Sequence, residues 1–432
     1  MNYSESILYL KKIQEQGIKL ELNNIKKVID HIPFNLKPIK FIQVAGTNGK
    51  GSTSHFITSI LQAAQYRVGL FTSPHLQDIR ERITINKKWI SKADFSKSLD
   101  VVRHISNNLI KQHKIDNIPT FFEHLFLVSL YYFYIKKVDF AIFEVGLGGR
   151  LDATSTIIPE VSVITNISYD HTKTLGKRIK DIAFEKAGII KKNIPIVCGC
   201  SQHSISKKVI EEVANQRNAP FHEVITLKNG LTVKEKKCSY SCTLKTKLET
   251  YNFNLLLNGK HQAMNASTAI RVIEILNRDR FQISKPSIYR GIRNNFVPGR
   301  IEIIKTIPGI ILDGSHNVGS MKALNIFLEQ KNLKNLTLIF GVLRDKNYKK
   351  MISLLNPFIN KVILTEPISR RALPAETLVK FFDQKEVHIM HNIKEALDIA
   401  KKFKQDILIT GSLYLVGEMR NIIFGGVKNG YR

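Results

Sequence analysis

The stretch FIQVAGTNGKGSTSHFITSIL, residues 41–61, constrains this chain more than any other. Residues 41–45 are a short apolar run suited to a buried strand, 46–51 hold three glycines, and from Ser52 the apolar residues recur at helical spacing. A strand that turns through glycines into a helix N-terminus aims several backbone N–H groups into one concavity, where their partial positive charge faces an anion. Gly46, Gly49 and Gly51 permit the close backbone approach and positive φ that such a nest needs. Lys50 adds a full charge, and Ser52 or Thr53 a hydroxyl for a phosphate or its magnesium. The pattern is a variant of G-x-x-x-x-G-K-[ST], because Val44 stands at the first glycine and Gly51 separates Lys50 from Ser52. A plain surface loop is the alternative; the strand before and helix after favour a phosphate cradle.

The length, 432 residues, accommodates two or three domains with their own cores. Residues 1–24 read as an amphipathic helix and turn, not a secretory leader, and no apolar stretch is long enough to cross a bilayer. Four cysteines do not make a disulfide framework at this length, so a soluble, cytoplasmic, reduced protein is expected. The pairs Cys198/Cys200 and Cys238/Cys242 lack the spacing of a zinc ribbon or finger. Sixty-five Lys and Arg against 36 Asp and Glu give a net charge of +29. Nucleic acid or an anionic membrane surface, a solvated lysine-rich surface, and polyanionic small ligands would each account for it, and the even spread of the lysines argues against the first.

Further strand ends follow the cradle. Val68–Phe71 ends in Thr72, Ser73, Pro74 and His75, placing the Ser73 hydroxyl to touch a bound metal, or merely to start a turn. Residues 78–86 alternate as a strand, and 120–137 are apolar all round, predicting a buried helix with Glu123 either aimed into a site or favoured by the helix dipole. Residues 139–145 read as a core strand with Glu144 at its end. A carboxylate buried there costs several kcal/mol unless a cation pairs with it, and magnesium beside the cradle phosphates supplies one. Residues 161–166 lead to His171, a structural histidine or a ligand. Residues 220–258 suggest a small antiparallel addition, and Pro298 with Gly299 marks a boundary. Beyond it strands and helices alternate, with 375–382 among the helices, and Asp313, His316 and Ser412 fall after strands, where ligands of parallel sheets bind. The expected fold is α/β: a P-loop-type ATPase domain, 1–297, with a mainly parallel sheet plus an antiparallel addition, and a Rossmann-like domain, 298–432.

The segments VAGTNGKGS, TSPHL with ERITIN, FEVGLGGRLDAT, NISYDH, FEKAGI, LDGSHN and ITGSLYLVGE together resemble the folylpolyglutamate synthase and dihydrofolate synthase family, within the Mur ligase superfamily. GIKLELNNIKKVI departs from the family form at Glu21 and Asn23. The resemblance implies that Gly46, Thr47, Asn48, Gly49, Lys50, Gly51 and Ser52 wrap the phosphates of ATP, with Asn265, Arg300 and Asp313 as further ATP-binding positions. It implies one magnesium on Ser73 and Glu144 and a second on His171, with Lys186 matching a lysine that is carbamylated in relatives. Phe122, Glu123 and Asp152 then lie near the pteroate, and His316 and Ser412 near the incoming glutamate. Lys50, Lys186 and His316 are the expected catalytic groups. The implied reaction adds L-glutamate to dihydropteroate or to a folate through an acyl phosphate, in a monomer acting on neither nucleic acid nor membrane. A Mur-type ligase of UDP-muramoyl peptides and a basic nucleic-acid-binding P-loop protein are the rivals.

Overall fold

Alternation along β1 (Lys40–Ala45) sends Ile42 and Val44 to one face of a sheet and Phe41 to the other, all buried, so each face needs a cover of helices. A computed structural model of the chain has both covers. It describes residues 1–426 apart from 16, 18–20, 201–203, 228, 237, 238, 280, 383 and 384. Helices Lys50–Ala63, His261–Asp279 and Lys285–Arg293 close the Ile42 face. Helices Tyr3–Gln14, Asn23–His31, Lys92–Lys111 and Phe121–Ile135 close the other.

The sheet is completed by β2 (Val68–Phe71), β3 (Ile83–Ile85), β4 (Lys88–Trp89), β5 (Phe140–Glu144), β6 (Val161–Ile164), β7 (Ile196–Cys198) and β8 (Phe221–Glu223). Their spatial order is β4-β3-β2-β5-β1-β6-β7-β8, with only β3 and β4 antiparallel to their neighbours. Val44 pairs with Glu144, and Ala45 with Ile164, so three adjacent strands end on one rim. Ligands of open parallel sheets bind at such a rim.

Two details differ from the pattern read in the sequence. Residues 78–86 are not one strand: Asp78 accepts a hydrogen bond from Arg80 N and caps the 3-10 turn Ile79–Arg82, leaving only β3 to pair. Residues 221–223 join the main sheet as β8, and the antiparallel addition is limited to β9 (Leu231–Lys236), β10 (Ser239–Lys245) and β11 (Thr250–Leu255).

The second α/β unit has β12 (Glu302–Ile304), β13 (Ile310–Leu312), β14 (Leu336–Phe340), β15 (Ile359–Leu364), β16 (Glu386–Ile389) and β17 (Ile407–Thr410) in the order β12-β13-β17-β14-β15-β16. Only β12 is antiparallel, and it lies at one edge of the sheet. β14 is buried along its whole length, as a central strand covered on both faces must be. Ala375–Phe381, read as a helix, is a 3-10 segment. No helix among the described residues is long and apolar enough to cross a membrane.

Candidate active site

The cradle forms where β1 turns into the helix Lys50–Ala63. Gly46 has φ 144° and Gly49, the helix N-cap, φ 83°, both costly for a residue with a Cβ. Space forbids one as well: a Cβ on Gly46 would lie 2.0 Å from Thr165 Oγ1, and one on Gly49 2.5 Å from Asn265 Oδ1. Asn166 holds the turn open by accepting from Thr47 N (2.8 Å) and, through Oδ1, from Asn48 N (2.9 Å). Ser52, in the first turn, is buried. Lys50 Nζ folds back onto the carbonyls of Gly46 and Thr47, 3.2 Å from each.

A second lysine reaches the same place. Lys186 Nζ, on the helix Ile179–Ala187, donates to Gly46 O at 2.9 Å, so two amines share one carbonyl oxygen. Burial first, then the charge of Lys50, lowers the Lys186 pKa to about 7. Facing them is Glu144, 5 % exposed, which accepts from Ser73 N at 3.1 Å. Burial raises the Glu144 pKa, opposed by Lys50, the Ser73 N–H, Arg300 and Arg82. No ion pair within 4.0 Å forms on Glu144 among the described residues. Ser73, Glu144, Gly51, Pro298, Arg300 and Leu413 line a narrow cleft between the two units.

The donor set suits magnesium more than a caged metal. No group of three His, Cys, Asp or Glu side chains able to hold an ion occurs among the described residues. Mg²⁺ typically takes one or two carboxylates and completes its shell with phosphate oxygens and water. Glu144 with the Ser73 hydroxyl beside a phosphate cradle fits that habit. His171 is exposed, φ 50°, its Nε2 4.0 Å from Asp170 Oδ1.

Asp170 has no role assigned from the motifs, yet three side chains of the second unit, Lys346, Asn317 and His316, converge on it. Lys346 Nζ lies 2.7 Å from its Oδ1, with both side chains under a tenth exposed, and Asn317 Nδ2 donates to Oδ2 at 2.9 Å. Asn317 and Asn48 exchange amide hydrogen bonds of 2.9 and 3.2 Å, tying the cradle directly to the second unit. His316 Nε2 is 3.8 Å from Asp170 Oδ2 and its Nδ1 2.9 Å from Gly314 O; burial lowers its pKa to about 4, so the ring is neutral. The signal available in sequence was the position of Asp170 beside His171; that of Lys346, in a charged loop after β14, carried none.

Asp313 is buried and accepts from Ile301 N and Ser315 N, each at 3.0 Å, near Arg300. Ser412 caps the helix Leu413–Phe424 by accepting from Tyr414 N. Asn265 donates to Gln262 Oε1 and lies against the cradle glycine. On the far side of the Gly146 turn, Phe122 covers Gly146, where a Cβ would meet its ring at 2.6 Å. Glu123 resolves to the dipole alternative: its Oε2 accepts from Thr120 N at 2.7 Å in a capping box. Asp152 is used locally too, with Gly146 N and Leu147 N on Oδ2 and Thr154 N and Oγ1 on Oδ1. Both carboxylates therefore shape the wall beside the turn through the backbone they hold. Cys198 and Cys200 are buried free thiols, and Cys238 lies outside the described residues.

A cradle on one parallel sheet, faced across a cleft by a second α/β unit, is the layout of a Mur-type ligase, and the family models agree. The Mur ligase middle domain matches residues 44–273 and the Mur ligase glutamate ligase domain residues 299–413. Dihydrofolate synthase/folylpolyglutamate synthase of Bacillus subtilis is 34% identical over 94% of this chain and 95% of its own length. The folylpolyglutamate synthase of Mycobacterium tuberculosis, solved with ADP and AMPPCP, superposes with a TM-score of 0.90, at 28% identity and full coverage of both chains. This chain also spans 50% of a probable bifunctional folylpolyglutamate synthase/dihydropteroate synthase of Haloferax volcanii, at 32% identity. The chain belongs to the folylpolyglutamate synthase/dihydrofolate synthase family.

Proposed function

We propose that this protein is an ATP-dependent ligase that adds L-glutamate to dihydropteroate, to the glutamate tail of folates, or to both, releasing ADP and phosphate. The observation that carries the reading is the unbalanced charge at the rim: Lys50 and Lys186 crowd one carbonyl while Glu144 stands buried with no ion pair among the described residues. A bound triphosphate and its cation would balance both. The Bacillus subtilis relative is named for both glutamate additions, which supports the wider substrate range.

In this reading the N–H groups of residues 46–52 and Lys50 hold the phosphates, with Asn265, Arg300 and Asp313 as further nucleotide contacts. Ser73 and Glu144 would hold Mg²⁺, with His171 toward a second ion. Magnesium bound there neutralises charge on the phosphoryl group during transfer. Lys50 lowers the repulsion between the substrate carboxylate and the γ-phosphate, so a carboxylate oxygen can bond to phosphorus as ADP leaves. The amine of glutamate, freed of a proton, then attacks the acyl carbon and phosphate departs. Ser412 and the neutral His316 orient that amine, while Phe122 and the turns held by Glu123 and Asp152 form the wall for the pteroate. Pro298 and Gly299 divide a domain of 1–297 from one of 298–432. The protein is proposed to act as a monomer.

The test is an assay of purified protein with ATP, Mg²⁺ and glutamate plus either dihydropteroate or tetrahydrofolate. ADP formed in step with glutamylated product supports the reading. ADP formed equally without the acid, or with neither acid, refutes it.

A further inference from the structure

The loop that carries Ser73 is held from two sides at residues 76–78. Glu81 gathers three consecutive backbone N–H groups, Leu76 at 2.7 Å and Gln77 and Asp78 at 2.8 Å, fixing the shape of the loop from within the first unit. The outer side of the same three-residue stretch presses on the second unit. Gly417, in the helix Leu413–Phe424, approaches so closely that a Cβ there would lie 1.8 Å from Leu76 O. The Leu76 side chain meets the space beside Gly299, where a Cβ would sit 3.4 Å from its Cδ2 and 3.1 Å from Val416 Cγ1.

A polar circuit runs beside this contact. Gly299 N donates to Glu302 Oε2 at 2.9 Å, Arg420 Nε donates to the same carboxylate at 3.0 Å, and Arg420 Nη1 reaches Gln77 Oε1 at 2.7 Å. Gln77 Nε2 in turn donates to Asn421 Oδ1 at 2.6 Å. The segment joining the two units, the terminal helix and the Ser73 loop are thus linked in a ring. Ser412 caps the start of the same helix.

We propose that Gly417 is a positioning residue: by letting the terminal helix seat against Leu76, it sets Ser73 for its cation only when the second unit is docked. The metal site then matures together with the glutamate side, since one helix serves both. The chemical purpose is plain, because an acyl phosphate formed with the units apart would be lost to water. This inference rests on the reading of Ser73 as a magnesium ligand.

The experiment compares wild type with Gly417→Ala, Gln77→Ala and Ser73→Ala. The readouts are amide hydrogen exchange of residues 72–78 and calorimetric affinity for AMPPCP with and without Mg²⁺. Alanine is the better helix former, so Gly417→Ala does not weaken the helix itself. The expected result for Gly417→Ala is about 10-fold faster exchange at Leu76, Gln77 and Asp78 and about 10-fold loss of the magnesium-dependent part of the affinity. Binding without magnesium stays within about twofold. Gln77→Ala shifts both readouts in the same direction by less, and Ser73→Ala abolishes the magnesium-dependent part with unchanged exchange. Unchanged exchange and magnesium dependence in Gly417→Ala overturn the proposal. A Ser73→Ala protein with wild-type magnesium dependence overturns the metal reading instead, whatever the exchange of Gly417→Ala does.

Discussion

The two rims that face each other across the cleft treat their buried polar groups in opposite ways. On the second unit, Asp313 accepts two backbone N–H groups, His316 pairs with Gly314 O and Ser412 caps its helix. On the first, Lys50 and Lys186 compete for Gly46 O, and the Glu144 carboxylate has a backbone N–H where it needs a cation. The second rim is satisfied before any ligand arrives. The first is strained electrostatically, as expected of groups whose partners are substrate phosphates and a metal.

The sharpest way to break this contrast is Lys50→Ala. Removing a charge that acts on the transferring phosphoryl group should lower kcat about 10²–10³-fold. Because it also relieves the crowding at Gly46 O, the thermal midpoint should not fall; a variant that turns over normally, or unfolds, sets the contrast aside. Next in size is a paired comparison of stability. Glu144→Gln removes a buried charge and should raise the unfolding free energy by about 1 kcal/mol while activity collapses. Asp313→Asn puts an amide donor against a backbone donor and should lower it by about 1–3 kcal/mol. Denaturant melts that move both variants the same way would contradict the distinction.

Asp170 sharpens the picture, since it is an acidic group of the first rim whose charge is paired, and Lys346 and Asn317 reach it from across the cleft. Lys346 is the chief charge that holds the Asp170 carboxyl below the usual range against its burial. Lys346→Met should loosen the contact between the two units and raise the KM for glutamate about 10-fold, with ATP affinity altered less. A KM unchanged beside a stability loss would reduce the pair to a structural role.

The smallest expected effect concerns pH. The Lys186 amine is lowered from 10.5 to about 7, so the folded protein gives up that proton first. Stability should therefore rise with pH between about 7 and 10, where the unfolded chain binds the extra proton, and gain nothing from this group below 7. The neutral amine is also the form that adds CO₂, with release of a proton, to become a carbamate. A carbamate carbon signal from labelled bicarbonate should appear at pH 8 and fade by pH 6, and Lys186→Met should lack it at both.

Much of this was legible from residues alone where chemistry forces a local pattern. The strand, glycine turn and helix of 41–61 and the acidic strand end at Glu144 are each dictated within a few residues. What was not legible depends on long-range partners. The resemblance puts Glu123 and Asp152 near the pteroate, but that each also accepts backbone N–H groups of its own turn depends on donors that only the folded chain brings near. The short 3-10 turn at Ile79–Arg82 hides in an alternating stretch because one aspartate cap outweighs the strand pattern. Lys346 carries no local signal, and Gly417 shows only as part of the ITGSLYLVGE segment, because what each meets lies in the other unit.

The central claim, that the cradle passes a phosphoryl group to an organic acid before glutamate attacks, is tested most directly with isotope. With both carboxylate oxygens of dihydropteroate, or of the folate tail, labelled with ¹⁸O, the account predicts that the phosphate released on glutamylation carries one ¹⁸O from the acid. Released phosphate without that label would contradict it.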